Sequence, residues 1–283
     1  MTHSQQTRFG SSGGIIRSQD PLTNEQLIRA VPSIFAPDKH SSRSDKYSYI
    51  STSDMLDGMR KEGFEVYEAR QGGSRIEGKA QFTKHMLRFR HASQVPSLHQ
   101  THSEIVLVNS HDGTSSYQLM SGLYRLVCSN GLIRSDKETG RIRVPHKGDV
   151  MHQVIEGAYR IIKDGEENAE HINHFNSLNL TTDEQFAFAK AAKAIKFDDE
   201  VRVEESRLLR ARRQADVGDN MWLTMNRVQE NLIRGGVPYL RYNDRGQAIA
   251  RARTKAVNSV DQNVKVNQAL WILATEMQKL KAA

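Results

Sequence analysis

From Phe64 to Val144 the chain reads as a succession of strands, and this constrains the fold more than any other feature. The runs "FEVYEAR", "HMLRFRHA", "EIVLVNS", "YQLMSGLYRLVC" and "RIRV" are rich in β-branched, aromatic and aliphatic residues. Gly72-Gly73, His111-Asp112-Gly113, Asn130-Gly131 and Thr139-Gly140 are turn signals between them. The short link through "NSHDGTSS" suits an antiparallel hairpin, because a parallel pair needs a long crossover. In "HMLRFRHA", Leu87, Phe89 and His91 fall on one face and Met86, Arg88 and Arg90 on the other. "IVLV" is apolar at every position, as expected of a central strand covered on both sides.

Helices flank this block. Thr23 or Asn24 can cap a short helix carrying Leu27, Ile28 and Val31, ended by Pro32. An aromatic strand is expected through Tyr47 and Tyr49. Ser51, Thr52 or Ser53 then caps a helix with Met55, Leu56 and Met59 that stops at Gly63. After Pro145, Val150, Val154, Ala158 and Ile161 follow helical spacing. Thr182 with Gln185 resembles a capping box. Met221 to Leu232 and Val266 to Leu280 mark two late helices, with apolar residues at steps of three and four. The expected fold is α+β: an antiparallel β-sheet core flanked by helices, with a mostly helical C-terminal half. Residues 1–20, rich in Ser, Gln, Gly and Thr, read as a disordered tail. Residues 21–180 read as the sheet domain. Residues 181–283 read as a helical region that packs on it or mediates oligomerisation.

The 283 residues include one cysteine, so neither an intrachain disulfide nor a cysteine-based zinc site is available. Cys128 shares a strand face with Tyr124 and Leu126 and is expected as a small packing residue. The 11 histidines show no HExxH pattern. The pairs His99/His102 and His171/His174 fall short of the three or four ligands a zinc ion needs, so no metal site and no cofactor are expected. "QGGSRIEGKA" has Ala80 where a phosphate-binding loop requires Ser or Thr. Asp198-Asp199 and Glu204-Glu205 lie in a charge-rich run and read as a solvated face. These absences point away from an enzyme. No secretory signal or membrane-spanning run is visible, so a cytoplasmic location is expected.

The formal net charge of +7 favours a polyanionic partner, and the placement of the charge is more informative than its total. "RLLRARR" carries Arg207, Arg210, Arg212 and Arg213 behind Glu204-Glu205. "RYNDRGQAIARARTK" carries Arg241, Tyr242, Arg245, Arg251, Arg253 and Lys255, with Tyr239 just before it and Asp244 as its one acid. Guanidinium groups fit phosphate oxygens through a rigid fork of donors, and an adjacent tyrosine can stack on an unpaired base. Arg88 and Arg90 are expected to add a second contact row if their sheet face is open.

Three stretches, "GLYRLVCSNGLI", "VQENLIRGGV" and "VNSVDQNVKVNQALWILATEM", together resemble the family termed domain of unknown function nine hundred and thirty-two. The resemblance runs from about Leu27 to Met277. It implies a protein carried by phages, plasmids and prophages, and brings no activity or site residues. The order of elements is also loosely similar to single-strand annealing proteins of the Rad-fifty-two group. The expected function is therefore nucleic-acid binding, with DNA favoured, in annealing, recombination or DNA protection. One alternative is an interaction protein that inhibits a host defence or replication factor; another is a metal-dependent nuclease or other hydrolase.

Overall fold

The computed structural model describes residues 5–9, 13–42, 49–94, 101–125, 130–133, 142–144, 149–163, 165–198, 201–243 and 245–282. Cys128, His99 and Tyr47 lie outside the described residues, as do the expected turn at Thr139-Gly140 and the acids Asp199 and Asp244. The chain divides into two compact units. One comprises Met1–Tyr124, Ile133–Gly165 and Asn258–Val260; the other comprises Arg125–Leu132, Glu166–Val257 and Asp261–Ala283. This differs from the expected division at residue 180.

The first unit contains β1 (Gln5–Phe9), β2 (Gly13–Arg17), α1 (Asn24–Ala30), α2 (Thr52–Lys61), β3 (Phe64–Gln71), β4 (His85–His91), β5 (Thr101–Asn109) and, but for its last residue, β6 (Tyr117–Arg125); after β7 (Asn130–Ile133), of which only Ile133 belongs to this unit, it holds β8 (Ile142–Val144) and α3 (Val150–Lys163). Within this unit strands β1 to β6 are neighbours in chain order, and β8 pairs with β6. The fold is α+β, as expected. Two details correct the reading of the sequence. The N-terminal stretch joins the sheet: β2 pairs antiparallel with β3, and Ile16 is buried in the core. Asn130-Gly131 does not turn the chain but opens strand β7.

The helices form where their caps and apolar spacing direct. Thr23 and Gln26 make a reciprocal capping box on α1, and the Ser51 hydroxyl accepts from the Asp54 amide at the start of α2. One face of the sheet supplies Leu87, Phe89, Ile105, Leu107 and Leu119 to the core. Met55, Leu56 and Met59 of α2, with Val154, Ala158 and Ile161 of α3, complete it.

The opposite face of β4 is charged and closed. Arg88 is 1% and Arg90 6% exposed. Both donate to Glu104, from Nε at 2.5 and 2.9 Å. Arg90 also lies over the rings of Tyr67 and Tyr124, at 4.1 and 4.2 Å. Next to them, Glu68 pairs with Arg17 at 2.7 Å and Arg70 at 3.5 Å. Burial pushes the Glu68 carboxyl up, but Arg17, Arg70 and Arg88 outweigh it and hold the group at about 2. The expected open contact row at Arg88 and Arg90 is therefore an internal ion-pair ladder.

The second unit contains α4 (Gly165–Ser177), α5 (Thr182–Lys196), β9 (Val201–Arg202), α6 (Glu205–Leu209), α7 (Met221–Arg234), β10 (Pro238–Tyr242), β11 (Ala248–Arg253) and α8 (Val260–Ala282). The capping box of α5 is Thr181 with Glu184, one residue earlier than expected. Gln185 is instead buried and donates to Leu180 O and Asp219 Oδ1. Helix α7 is the centre of this unit, with Trp222, Met225, Val228 and Leu232 buried. Its buried amides reach neighbouring elements: Gln229 donates to Asn267 Oδ1 of α8 at 2.6 Å, and Asn231 to Leu208 O at 2.8 Å. Trp271 of α8 packs edge-on against Phe175 of α4.

Candidate nucleic-acid interface

The second basic stretch forms a β-hairpin. Strands β10 and β11 pair antiparallel, and β9 joins the other edge of β10. The chain enters the hairpin from α7 through Gly235 and Gly236, both with positive φ (67° and 74°). A Cβ at Gly235 would lie 2.6 Å from the Lys255 carbonyl carbon, so only glycine admits this close approach.

The register assigns the arginines to faces, because directly opposed residues in an antiparallel pair share a side. Pro238 stands opposite Arg253, and Leu240 opposite both Arg251 and Arg202. These residues share one face. Arg241 stands opposite Ala250 and Val201 on the other. A register shift after Arg241 precedes Tyr242, whose ring lies 4.4 Å from the Arg202 guanidinium carbon. This cation–π contact places Tyr242 beside Arg202.

The Arg251 face closes a cleft of about 640 Å³. Arg202, Tyr242, Leu240 and Arg251 line one side; Lys193, Glu204, Glu205 and Arg207 also line it, and Tyr239, which stands opposite Ala252 on the Arg241 face, borders it. Both acids here are answered: Glu205 by Lys193, and Glu204 by Arg207 at 3.6 Å. The Lys193 hydrogen bond holds the Glu205 carboxyl below its usual range. Arg202 and Arg251 thus remain uncompensated among the described residues.

A second cleft, of about 470 Å³, shares Arg207 and Pro238 with the first. It is lined by Arg207, Arg210, Arg212 and Arg253 together with Ala211, Asn231, Gly236 and Val237, and no acid contributes to the lining. Arg212 and Arg253 are fixed by the backbone that turns into the hairpin. Arg212 donates to Asn231 Oδ1 at 2.8 Å and Gly235 O at 2.7 Å. Arg253 donates to Gly236 O at 2.9 Å. Such pre-oriented guanidinium groups lose less entropy on meeting a phosphate.

The expected site residues therefore divide. Arg251, Arg253, Tyr242, Arg210 and Arg212 come together on the two adjoining clefts. Arg241 and Arg245 are exposed outside their linings. Lys255 is exposed, and its carbonyl accepts from Lys196 Nζ at 2.8 Å. Arg213 is a correction: it is spent on Glu230 and on Asp216 at 2.9 Å, in a network that also holds Arg125, 2.5 Å from Asp216. Arg88 and Arg90 are corrected for the same reason, since both are buried and paired with Glu104 inside the sheet unit. Arg202 and Lys193 were not among the expected basic residues, whereas Arg207 belongs to the expected "RLLRARR" cluster. The alternation Val201-Arg202-Val203 is the signal that marks Arg202 as a strand residue facing the hairpin.

Among the described residues no group of three His, Cys, Asp or Glu side chains is placed to hold a metal ion. Among them, too, no helix is long and apolar enough to cross a membrane.

The family model described as "Domain of unknown function (DUF932)" matches residues 39–271. Two Escherichia coli K12 proteins, UPF0380 protein YafZ and UPF0380 protein YfjQ, are each 45% identical to the chain over 269 residues, covering 95% of both partners. No solved structure matches it.

Proposed function

The chain belongs to the DUF932 family, and we propose that it is a nucleic-acid-binding protein that takes the phosphate backbone, of DNA in the first instance, in the two clefts of its second unit. One observation carries this reading: Arg207, Arg210, Arg212 and Arg253 line one cleft without an acid, next to a cleft holding Arg202, Arg251 and Tyr242. A phosphate there meets rigid donors and releases the counterions that its charge had condensed. The reading assigns no chemistry to the site, only binding. It also takes the protein to be the product of a phage, plasmid or prophage acting in the cytoplasm on the DNA of that element. Support for this part comes from the family resemblance.

The test is titration of labelled DNA with the full chain at several salt concentrations. Binding should weaken steeply, with log K falling by about 0.7 to 0.9 per neutralised phosphate for each decade of salt. Arg251→Ala with Arg253→Ala should weaken binding and flatten that slope while the fold stays intact by circular dichroism. Absence of binding at low salt, or an unchanged slope in the double variant, overturns the proposal.

A further inference from the structure

We infer that the clefts take single-stranded nucleic acid, with one unpaired base against Tyr242 and the flanking phosphates on the arginines; this rests on the binding role proposed above. Three observations carry the inference.

The first is the direction of the arginines. A β-ribbon that reads duplex DNA presents outward side chains to the major groove, which is about 12 Å wide. Here Arg251 and Arg202 lie on the hairpin face that closes the cleft with α6, while the opposite face pairs Arg241 with Ala250. The recognition chemistry points into a cleft rather than out from a ribbon.

The second is size. The cleft of about 640 Å³ lies in the range that encloses one small ligand. It has room for a nucleotide whose base has left its stack, and none for a duplex.

The third is the aromatic platform. Tyr242 lines the cleft, and Arg202 already rests on its ring. The base faces of a duplex are covered by their neighbours, so a tyrosine in a cleft can meet only an unpaired base. The second cleft begins where the first ends, at Arg207 and Pro238. Its Arg210, Arg212 and Arg253 are then placed for the next phosphates of the same strand. The ligand is identified by this shared chemistry, an unpaired base on a phosphodiester chain, and DNA and RNA are two sources of it.

Fluorescence anisotropy with the full chain at low salt decides the matter. The probes are a deoxythymidine oligomer and a uridine oligomer of about 20 nucleotides each, and a DNA duplex of the same length. Either single strand should bind at least about tenfold more tightly than the duplex, and the stronger of the two names the source. Tyr242→Ala should weaken single-strand binding by about tenfold or more, and Tyr242→Phe should keep it, because stacking needs the ring and not the hydroxyl. Arg241→Ala, on the other face, should change it by less than Arg251→Ala does. Duplex binding as tight as single-strand binding, or an unaffected Tyr242→Ala, overturns the inference while leaving the binding role in place. Failure of all three probes to bind removes both. Thermal melts of each variant separate a lost contact from a lost fold.

Discussion

Arg88 donates from Nε to Glu104 at 2.5 Å, and each of the two side chains is 1% exposed. The same carboxylate accepts from Arg90 at 2.9 Å. A charge removed from water this completely persists because its partner is there; removing one partner leaves the other stranded. Glu104→Gln should therefore destabilise the chain by about 3–5 kcal/mol, measured by urea unfolding. Arg88→Met placed on top of it should recover part of that loss, because it withdraws one stranded charge. A Glu104→Gln variant as stable as the parent would show that the ladder is not what holds this sheet face.

Gly235 is the second point where one residue decides. Its φ of 67° and the 2.6 Å gap from a Cβ to the Lys255 carbonyl carbon exclude any side chain. Gly235→Ala should cost more than about 1 kcal/mol, since the native backbone there is closed to L-residues. It should also weaken nucleic-acid binding, because Arg212 donates to Gly235 O and Arg253 to Gly236 O. A lower melting temperature with unchanged affinity would show that the turn does not position the arginines.

Pattern and punctuation made most of the fold legible. Period-two alternation located β4, with Leu87 and Phe89 turned to the core, and helical spacing located α2, α3 and α7. What one strand's alternation leaves open is what its polar face meets. Arg88 and Arg90 looked like an open row because Glu104 and Glu68, which close it, come from neighbouring strands. The same limit applies to Arg213, whose partners Asp216 and Glu230 come from a short turn and from α7. For the arginine cluster, composition marked Arg251 and Arg253, but only strand register separates them from Arg241. Arg202 entered the cleft by pairing across to Leu240, a contact nearly forty residues away in the chain. At Asn130-Gly131 a strong local turn signal yielded to sheet pairing in β7.

The Thr52 hydroxyl is the hub of a buried polar cluster in the first unit. Asn109 Nδ2 lies 3.0 Å from it, His85 Nε2 3.1 Å, and His111 Nε2 and Tyr117 OH each 3.2 Å. Tyr117 OH also faces Ile50 O at 3.3 Å and can give its proton there. Thr52 has one proton to donate and two lone pairs, so its capacity is fully used. Thr52→Val keeps the shape and removes the bonds to Asn109, His85 and His111. It should cost about 2–4 kcal/mol by chemical denaturation, because several buried groups lose a partner at once. Thr52→Ser should lose much less, and equal losses in the two variants would place the cost in the methyl group instead.

His85 makes this cluster sensitive to acid. Its Nδ1 faces Thr83 O at 3.2 Å, which fixes the proton there and leaves Nε2 to accept from Thr52. Burial, reinforced by the neighbouring His111, lowers its pKa from 6.5 to about 3, against smaller opposing contributions from Thr83 O and Asp112. The unfolded chain therefore takes up a proton below its ordinary value that the folded chain refuses. The stability tied to neutral His85 is whole above pH 6.5 and drains away as pH falls towards 3. Each pH unit in that window should cost up to about 1.4 kcal/mol. Melting curves from neutral pH down to about 5 read this histidine before most carboxylates titrate. His85→Gln, which cannot take up the proton, should be less stable at neutral pH and show a shallower fall over that range. A variant whose stability falls as steeply as the parent's would assign the acid sensitivity to another group.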